Sequence, residues 1–246
     1  MKEYKLDLLV IVAHPDDAEL ACGGVILSHI AQGKKVGVVD LTQGEMGTRG
    51  TKETRKSEAK EASEILGLNF RGNLNMPDAT FTISQENILS VIKIIRLHQP
   101  EIVITNAIED RHPDHPKAAE LVKQACFLSG LSKIVTVAES KNSFTQAAWR
   151  PKKLYHMIQA NYIKPDLVVD ITPYWEKKMQ AIRAYKTQFY SAENSDKEVE
   201  TFISTPRFIH FLEARAREFG QSINVDFAEG FTVNSQIGVR SLFDIC

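Results

Sequence analysis

Leu8-Leu9-Val10-Ile11-Val12 is an unbroken apolar run that gives way at once to Ala13-His14-Pro15-Asp16-Asp17-Ala18-Glu19. An apolar run without alternation is what a strand covered on both faces of a parallel sheet requires. A helical pattern follows from about Ala18 to Gln32 and stops at Gly33, so the chain opens with strand, loop and helix. In a dinucleotide-binding domain this loop would be rich in glycine, and its backbone would cradle a pyrophosphate at the helix N-terminus. Here it holds acids. Asp16, Asp17 and Glu19 would repel a phosphate and favour a cation. Capping of the helix by Asp16 or Asp17 is the alternative reading of the same residues.

Working outward, strand and helix signals keep alternating. Lys35–Leu41 reads as a strand, Thr54–Leu66 as a helix closed by Gly67, and Asn69–Leu74 as a short strand. Gln85–His98 reads as a helix, Ile102–Thr105 as a fourth strand after Pro100, and Pro116–Ser129 as a helix. Further on, Lys153–Gln159 and Leu167–Asp170 read as strands, and Trp175–Tyr185 and Arg207–Phe219 as helices. The alternation predicts one α/β domain over residues 1–246, a Rossmann-like, doubly wound, mostly parallel sheet with helices on both faces. A polar stretch, Ser191–Glu200, reads as a loop near the site.

The 246 residues include 30 Lys and Arg against 31 Asp and Glu, for a net charge of −1, with 43% hydrophobic residues. That composition excludes disorder and a small disulfide scaffold. It also argues against nucleic acid or an anionic membrane as partner, since both demand a basic surface. The longest apolar stretch, Leu8–Ala13, is far below the ~20 residues that cross a bilayer. The acidic N-terminus is unlike a signal peptide. Cys22, Cys126 and Cys246 form no C-x-x-C pair, which fits reduced thiols in a cytoplasmic protein, the first two in the core.

A second polar loop, Glu109-Asp110-Arg111-His112-Pro113-Asp114-His115-Pro116, follows the fourth strand. In a sheet of order 3-2-1-4-5 the first and fourth strands are neighbours, their helices leave on opposite faces, and ligands bind in the crevice outside their carboxyl ends. Both loops fall on that crevice. Imidazoles and a carboxylate from two adjacent loops suit a catalytic zinc with an open position, and a two-His, one-carboxylate set suits ferrous iron equally. The residues left over after ligation, a second Asp and a second His, favour hydrolysis because they supply a general base and a group to oppose developing negative charge.

The two loops together, A-H-P-D-D-A-E at 13–19 and H-P-D-H at 112–115, resemble the LmbE/PIG-L family of zinc-dependent N-acetylglucosaminyl deacetylases. Asp40-Leu41-Thr42, Gly50-Thr51, Arg55-Lys56, Asn75-Met76-Pro77-Asp78, Asp110-Arg111, Ala184-Tyr185 with Gln188-Phe189, and Ala228-Glu229-Gly230-Phe231 are similar to its bacillithiol-biosynthesis subgroup, which removes acetate from N-acetylglucosaminyl-malate. The resemblance implies one Zn2+ per subunit held by His14, Asp17 and His115, with Asp16 as general base. It further implies that His112 opposes the oxyanion, that Asp114 orients His112, and that Arg55 binds the malyl carboxylate. It implies a small-molecule N-acetylglucosaminyl conjugate as partner and a homo-oligomeric assembly. Diacetylchitobiose or another N-acetylglucosamine conjugate is the alternative substrate, and a non-catalytic sugar- or metal-binding module the alternative class. His29, His98, His156 and His210 read as structural.

Overall fold

The structure, a computed structural model, describes residues 4–138, 144–190, 199–241 and 243. In chain order the elements are β1 (Leu8–Val12), α1 (Asp17–Ala31), β2 (Val36–Thr42), α2 (Lys52–Leu66), β3 (Phe70–Met76), α3 (Gln85–His98), β4 (Ile102–Thr105) and α4 (Asp114–Leu128). They continue as β5 (Val137–Ala138), β6 (Phe144–Thr145), β7 (Lys153–Met157), β8 (Leu167–Asp170), α5 (Trp175–Arg183), α6 (Pro206–Gln221) and β9 (Ala228–Val233). Of the polar segment Ser191–Glu200 only the last two residues fall within the described residues, and Cys246 lies outside them.

Seven strands form one sheet in the order β3-β2-β1-β4-β7-β9-β8, while β5 and β6 make a separate antiparallel pair. From β3 to β7 all neighbours are parallel, as the alternating pattern predicts. The far edge differs, because β9 runs antiparallel to both β7 and β8. β9 escaped the sequence reading because Glu229 and Gly230 interrupt its apolar pattern, and both residue types are depleted in strands. Packing explains them. A Cβ on Gly230 would lie 2.8 Å from the Phe219 ring of α6.

β1 is buried on both faces, and its side chains divide between two cores. Leu8, Val10 and Val12 pack with apolar residues of α1, α2, α5 and α6, whereas Leu9 and Ile11 pack with those of α3 and α4. The helices following β1 and β4 therefore lie on opposite faces, and the crevice expected between them exists. Cys22 and Cys126 are buried thiols within these layers. Among the described residues no helix is long and apolar enough to cross a membrane.

Helix α1 is broken at Cys22, whose φ of −142° is not helical. The N–H groups of Gly24 and Val25, exposed by the break, donate to the Glu229 carboxylate at 2.9 and 2.7 Å. Lys178 of α5 donates to the same carboxylate at 2.7 Å, and both charged groups are buried. A strand side chain thus supplies the N-terminal cap that the second half of α1 lacks. Removing one member of a buried pair leaves an uncompensated charge. Glu229→Ala is expected to lower unfolding free energy in urea by about 3–5 kcal/mol, and Lys178→Met in that background to restore part of the loss.

His98, at the end of α3, is buried against Phe70 with ring centroids 4.3 Å apart. Its Nδ1 meets the Tyr4 carbonyl at 2.7 Å, and its Nε2 is buried without a hydrogen-bond partner. Burial pushes this imidazole below its ordinary 6.5, the Tyr4 carbonyl offsetting only part of the effect. The unfolded chain then takes up a proton that the fold resists, so stability is held above that ordinary value and lost as pH falls below it. The urea midpoint is expected to drop between about pH 7.5 and 5.5, and to drop less in His98→Gln.

Candidate metal centre

The loop after β1 is fixed from three sides. The Ala13 N–H donates to Asn106 Oδ1 at 2.8 Å, and the Ala13 carbonyl accepts from the N–H and hydroxyl of Thr42, both at 3.0 Å. The third tie bends the backbone: Asp16 sits at φ 108°, a left-handed conformation that costs a non-glycine residue about 1–3 kcal/mol. Asp16 occupies the cap position of α1, yet its side chain makes no capping bond. The capping alternative therefore fails for Asp16. Its carboxylate instead accepts from Arg55 Nη2 at 2.9 Å.

Asp17 is the hub. Its Oδ2 accepts from the His14 N–H at 2.9 Å and from Asn106 Nδ2 at 3.0 Å, and its Oδ1 accepts from Gln159 Nε2 at 2.9 Å. The same carboxylate stands 3.5 Å from His14 Nδ1 and 3.1 Å from His115 Nε2. The other nitrogen of each ring faces a different carboxylate. His14 Nε2 lies 3.1 Å from Asp78 and 3.3 Å from Asp114, and His115 Nδ1 lies 2.5 Å from Asp110. His112 joins them, so that one ring nitrogen from each of His14, His112 and His115 lies within 4.8 Å of the others.

This donor set fits a divalent metal. Two imidazoles turn one nitrogen toward Asp17 and are held at the other by carboxylates, which is how metal-ligating histidines are oriented and their tautomers fixed. The electrostatics agree. Burial would raise the Asp17 carboxyl, but His115 and His14 hold it well below the ordinary carboxylate range. Burial would lower His115, but Asp17 and Asp110 lift it to about 9. A cation in this place would replace the protons that these imidazoles hold so firmly.

His112 behaves differently from its neighbours. Burial, with the charge of His14 and His115, pushes it below its ordinary value and favours the neutral imidazole. Its Nδ1 accepts from the Asp114 backbone N–H at 3.3 Å, which leaves the proton on Nε2. The Asp114 carboxylate was expected to orient His112. It contacts His14, the Ala79 N–H and Lys117 instead, and only the Asp114 backbone meets His112. The reason is position: Asp114 opens α4, so its side chain points back past the helix start toward β3 and α1.

Both loops, α6 and residues 201–203 enclose a cavity of about 300 Å³. His14, Asp16, Asp17, Arg55, His112 and His115 all line it, whereas Asp114 lies behind it. Burial raises the Asp16 carboxyl to about 7, against the pull of Arg55 and His14. Arg55 reaches Asp16 from the first turn of α2, which a Thr51–Thr54 capping box holds in place. Its Nη groups donate to Asp16 and to the carbonyls of Pro15 and Gly44. Gly44 has φ 66°, and a Cβ there would lie 2.1 Å from Arg55 Nη1, so only glycine lets the guanidinium through. Glu19, grouped with the loop acids in sequence, faces away and meets Arg71 and Tyr185.

The histidines and Asp17 of the site lie within the stretch that carries the family signature. The PIG-L profile, GlcNAc-PI de-N-acetylase, matches residues 9–126. A diacetylchitobiose deacetylase of Thermococcus kodakarensis is 30% identical over 196 residues, covering 74% of this chain and 70% of that protein. The chain belongs to the PIG-L family. Another relative at similar distance, a 4-oxalmesaconate hydratase of Pseudomonas putida, is 28% identical over 196 residues, 73% of each chain. The crystal structure of the conserved protein TT1542 from Thermus thermophilus superposes with a TM-score of 0.82 at 34% identity, covering 96% of this chain and 98% of that one. As a PIG-L deacetylase the chain has the α/β LmbE-like fold and the amide-hydrolase activity typical of that family.

Asp78, Asp110, Asn106 and Gln159 complete this PIG-L site without having been given roles in the sequence reading. Asp78 and Asp110 lie in motifs quoted for the subgroup resemblance, and Asn106 and Gln159 are polar residues that directly follow or closely follow a sheet strand. That position at strand carboxyl ends is the signal that could have found them. Partners that hold a ligating imidazole typically control metal affinity by 10–100-fold. Asp110→Asn is expected to weaken zinc binding by about that factor in chelator competition.

Proposed function

We propose that this PIG-L family member hydrolyses the N-acetyl amide of an N-acetylglucosamine conjugate, giving acetate and the free amine, with one zinc ion per subunit held by His14, Asp17 and His115. The observation that carries the reading is Asp16: buried in the same cavity, beside the histidine cluster, bonded to Arg55 and to none of the three rings. A carboxylate placed next to a metal site and free of its ligands is what a general base requires.

When bound, zinc supplies Lewis acidity that activates water at neutral pH and polarises the acyl oxygen. Asp16 takes the proton of the attacking water. His112, with its proton on Nε2, donates to the oxygen that gains charge. Arg55 holds Asp16 at its angle, and Asp114 and Asp78 hold His14.

The broader substrate class, of which diacetylchitobiose is an example, has the support of the Thermococcus relative. The finer reading, N-acetylglucosaminyl-L-malate of bacillithiol synthesis, rests on the subgroup motifs. Acetate release from the malyl conjugate, diacetylchitobiose and methyl N-acetylglucosaminide separates them, and a preference for the malyl conjugate is expected. Zinc-loaded Asp16→Asn is expected to lose about 10²–10⁴ in kcat on whichever is turned over. Equal turnover in the wild type and the variant would remove Asp16 from its role.

A further inference from the structure

Helix α6 presents Phe208, Phe211, Leu212 and Arg215 to the cavity, residues spaced to share one helical face. The first three make an apolar wall, and Arg215 interrupts it. Its Nη1 is sealed from solvent and has no hydrogen-bond partner. Among the described residues no carboxylate lies within ion-pair distance of its guanidinium, which lies over the Phe211 ring at 5.1 Å. The acids whose charge it senses, Asp110 and Glu229, are both engaged elsewhere. Asp110 meets His115 and the Asn161 N–H, and Glu229 meets Lys178 and the broken turn of α1.

Arg49, Arg55 and Arg111 also line the cavity. Arg55 is committed to Asp16 and two loop carbonyls. Arg111 lies over the Phe202 ring at 4.4 Å. Removing part of a guanidinium from water without an anion is costly, so a half-buried arginine on a cavity wall, with an Nη1 cut off from water and unpaired, is a binding group awaiting its partner. A planar carboxylate is the group that matches its fork of donors.

We propose that Arg215 is the specificity-determining residue of this cavity and receives a carboxylate carried by the part of the substrate that remains after acetate leaves. The assignment rests on the amide-hydrolase reading given above. It moves recognition of an acidic aglycone from Arg55, whose Nη groups are bonded to Asp16 and two loop carbonyls, to Arg215, whose Nη1 has no acceptor. The apolar wall beside it excludes water and strengthens the contact.

The test uses the full-length, zinc-loaded protein and two substrates, N-acetylglucosaminyl-malate and its neutral dimethyl ester. The readout is the ratio of their kcat/KM values within each protein, which cancels any loss of fold or metal common to both substrates. The wild type is expected to favour the acid. Arg215→Met should shrink that preference about 10- to 100-fold, chiefly through KM for the acid, as expected for one charge-assisted contact. Arg215→Lys should keep part of it. An unchanged ratio in Arg215→Met, or a wild type with no preference for the acid, overturns the proposal. If neither substrate releases acetate in any variant, the hydrolase reading has failed independently. Malate binding measured by calorimetry then decides for Arg215: binding by the wild type and loss in Arg215→Met upholds an anion site, and equal or absent binding removes it.

Discussion

The carboxylate of Asp17 accepts hydrogen bonds from the backbone of His14, from Asn106 and from Gln159 while standing between His14 and His115. Those partners come from the loop after β1, the ends of β4 and β7, and the first turn of α4. The sheet order places all four segments at one crevice, and the shared carboxylate fixes how they meet. A charge so deeply buried is tolerable only when nearly every lone pair has a donor. Satisfying Asp17 thus prescribes the geometry around it: the His14 ring turns toward Asp78 and Asp114, and the His115 ring toward Asp110.

Charge balance follows the same rule elsewhere. The overall charge of −1 conceals strong local segregation. Acids gather where a divalent cation belongs. Behind them, Glu19 and Asp40 are answered by the half-buried Arg71, and Glu229 by the buried Lys178. Asp16 is shared between the two regimes, since it faces the cavity yet is tied to Arg55. Its left-handed backbone shows that the loop geometry is imposed by surrounding contacts against local preference.

What sequence reveals here tracks the range of the forces involved. β1, α3 and β4 are legible to within a residue because apolar runs, Ser84 as a cap and Pro100 as a breaker act locally. The two loops are legible because their composition departs from what a nucleotide cradle or a packed core requires. The partners of those loops are less so. Asp78 meets His14 across 64 residues and Gln159 meets Asp17 across 142, and no periodicity records such pairings. The Asp114 carboxylate went to His14 rather than His112 because the start of α4 lies two residues earlier than its pattern suggests. β9 was hidden because two of its residues answer to tertiary neighbours, Glu229 to α1 and Gly230 to Phe219.

The break at Cys22 gives the polypeptide an unusual dependence on its own far end. Gly24 and Val25 receive their cap from a residue 204 to 205 positions later. As the ribosome delivers the chain, the loop after β1 and α1 emerge early, but the second half of that helix lacks the Glu229 acceptor for the N–H groups of Gly24 and Val25 until β9 has been synthesised and paired. Contacts of such long separation close late and set folding speed. The second half of α1 is therefore complete only once the strand that carries Glu229 is in place.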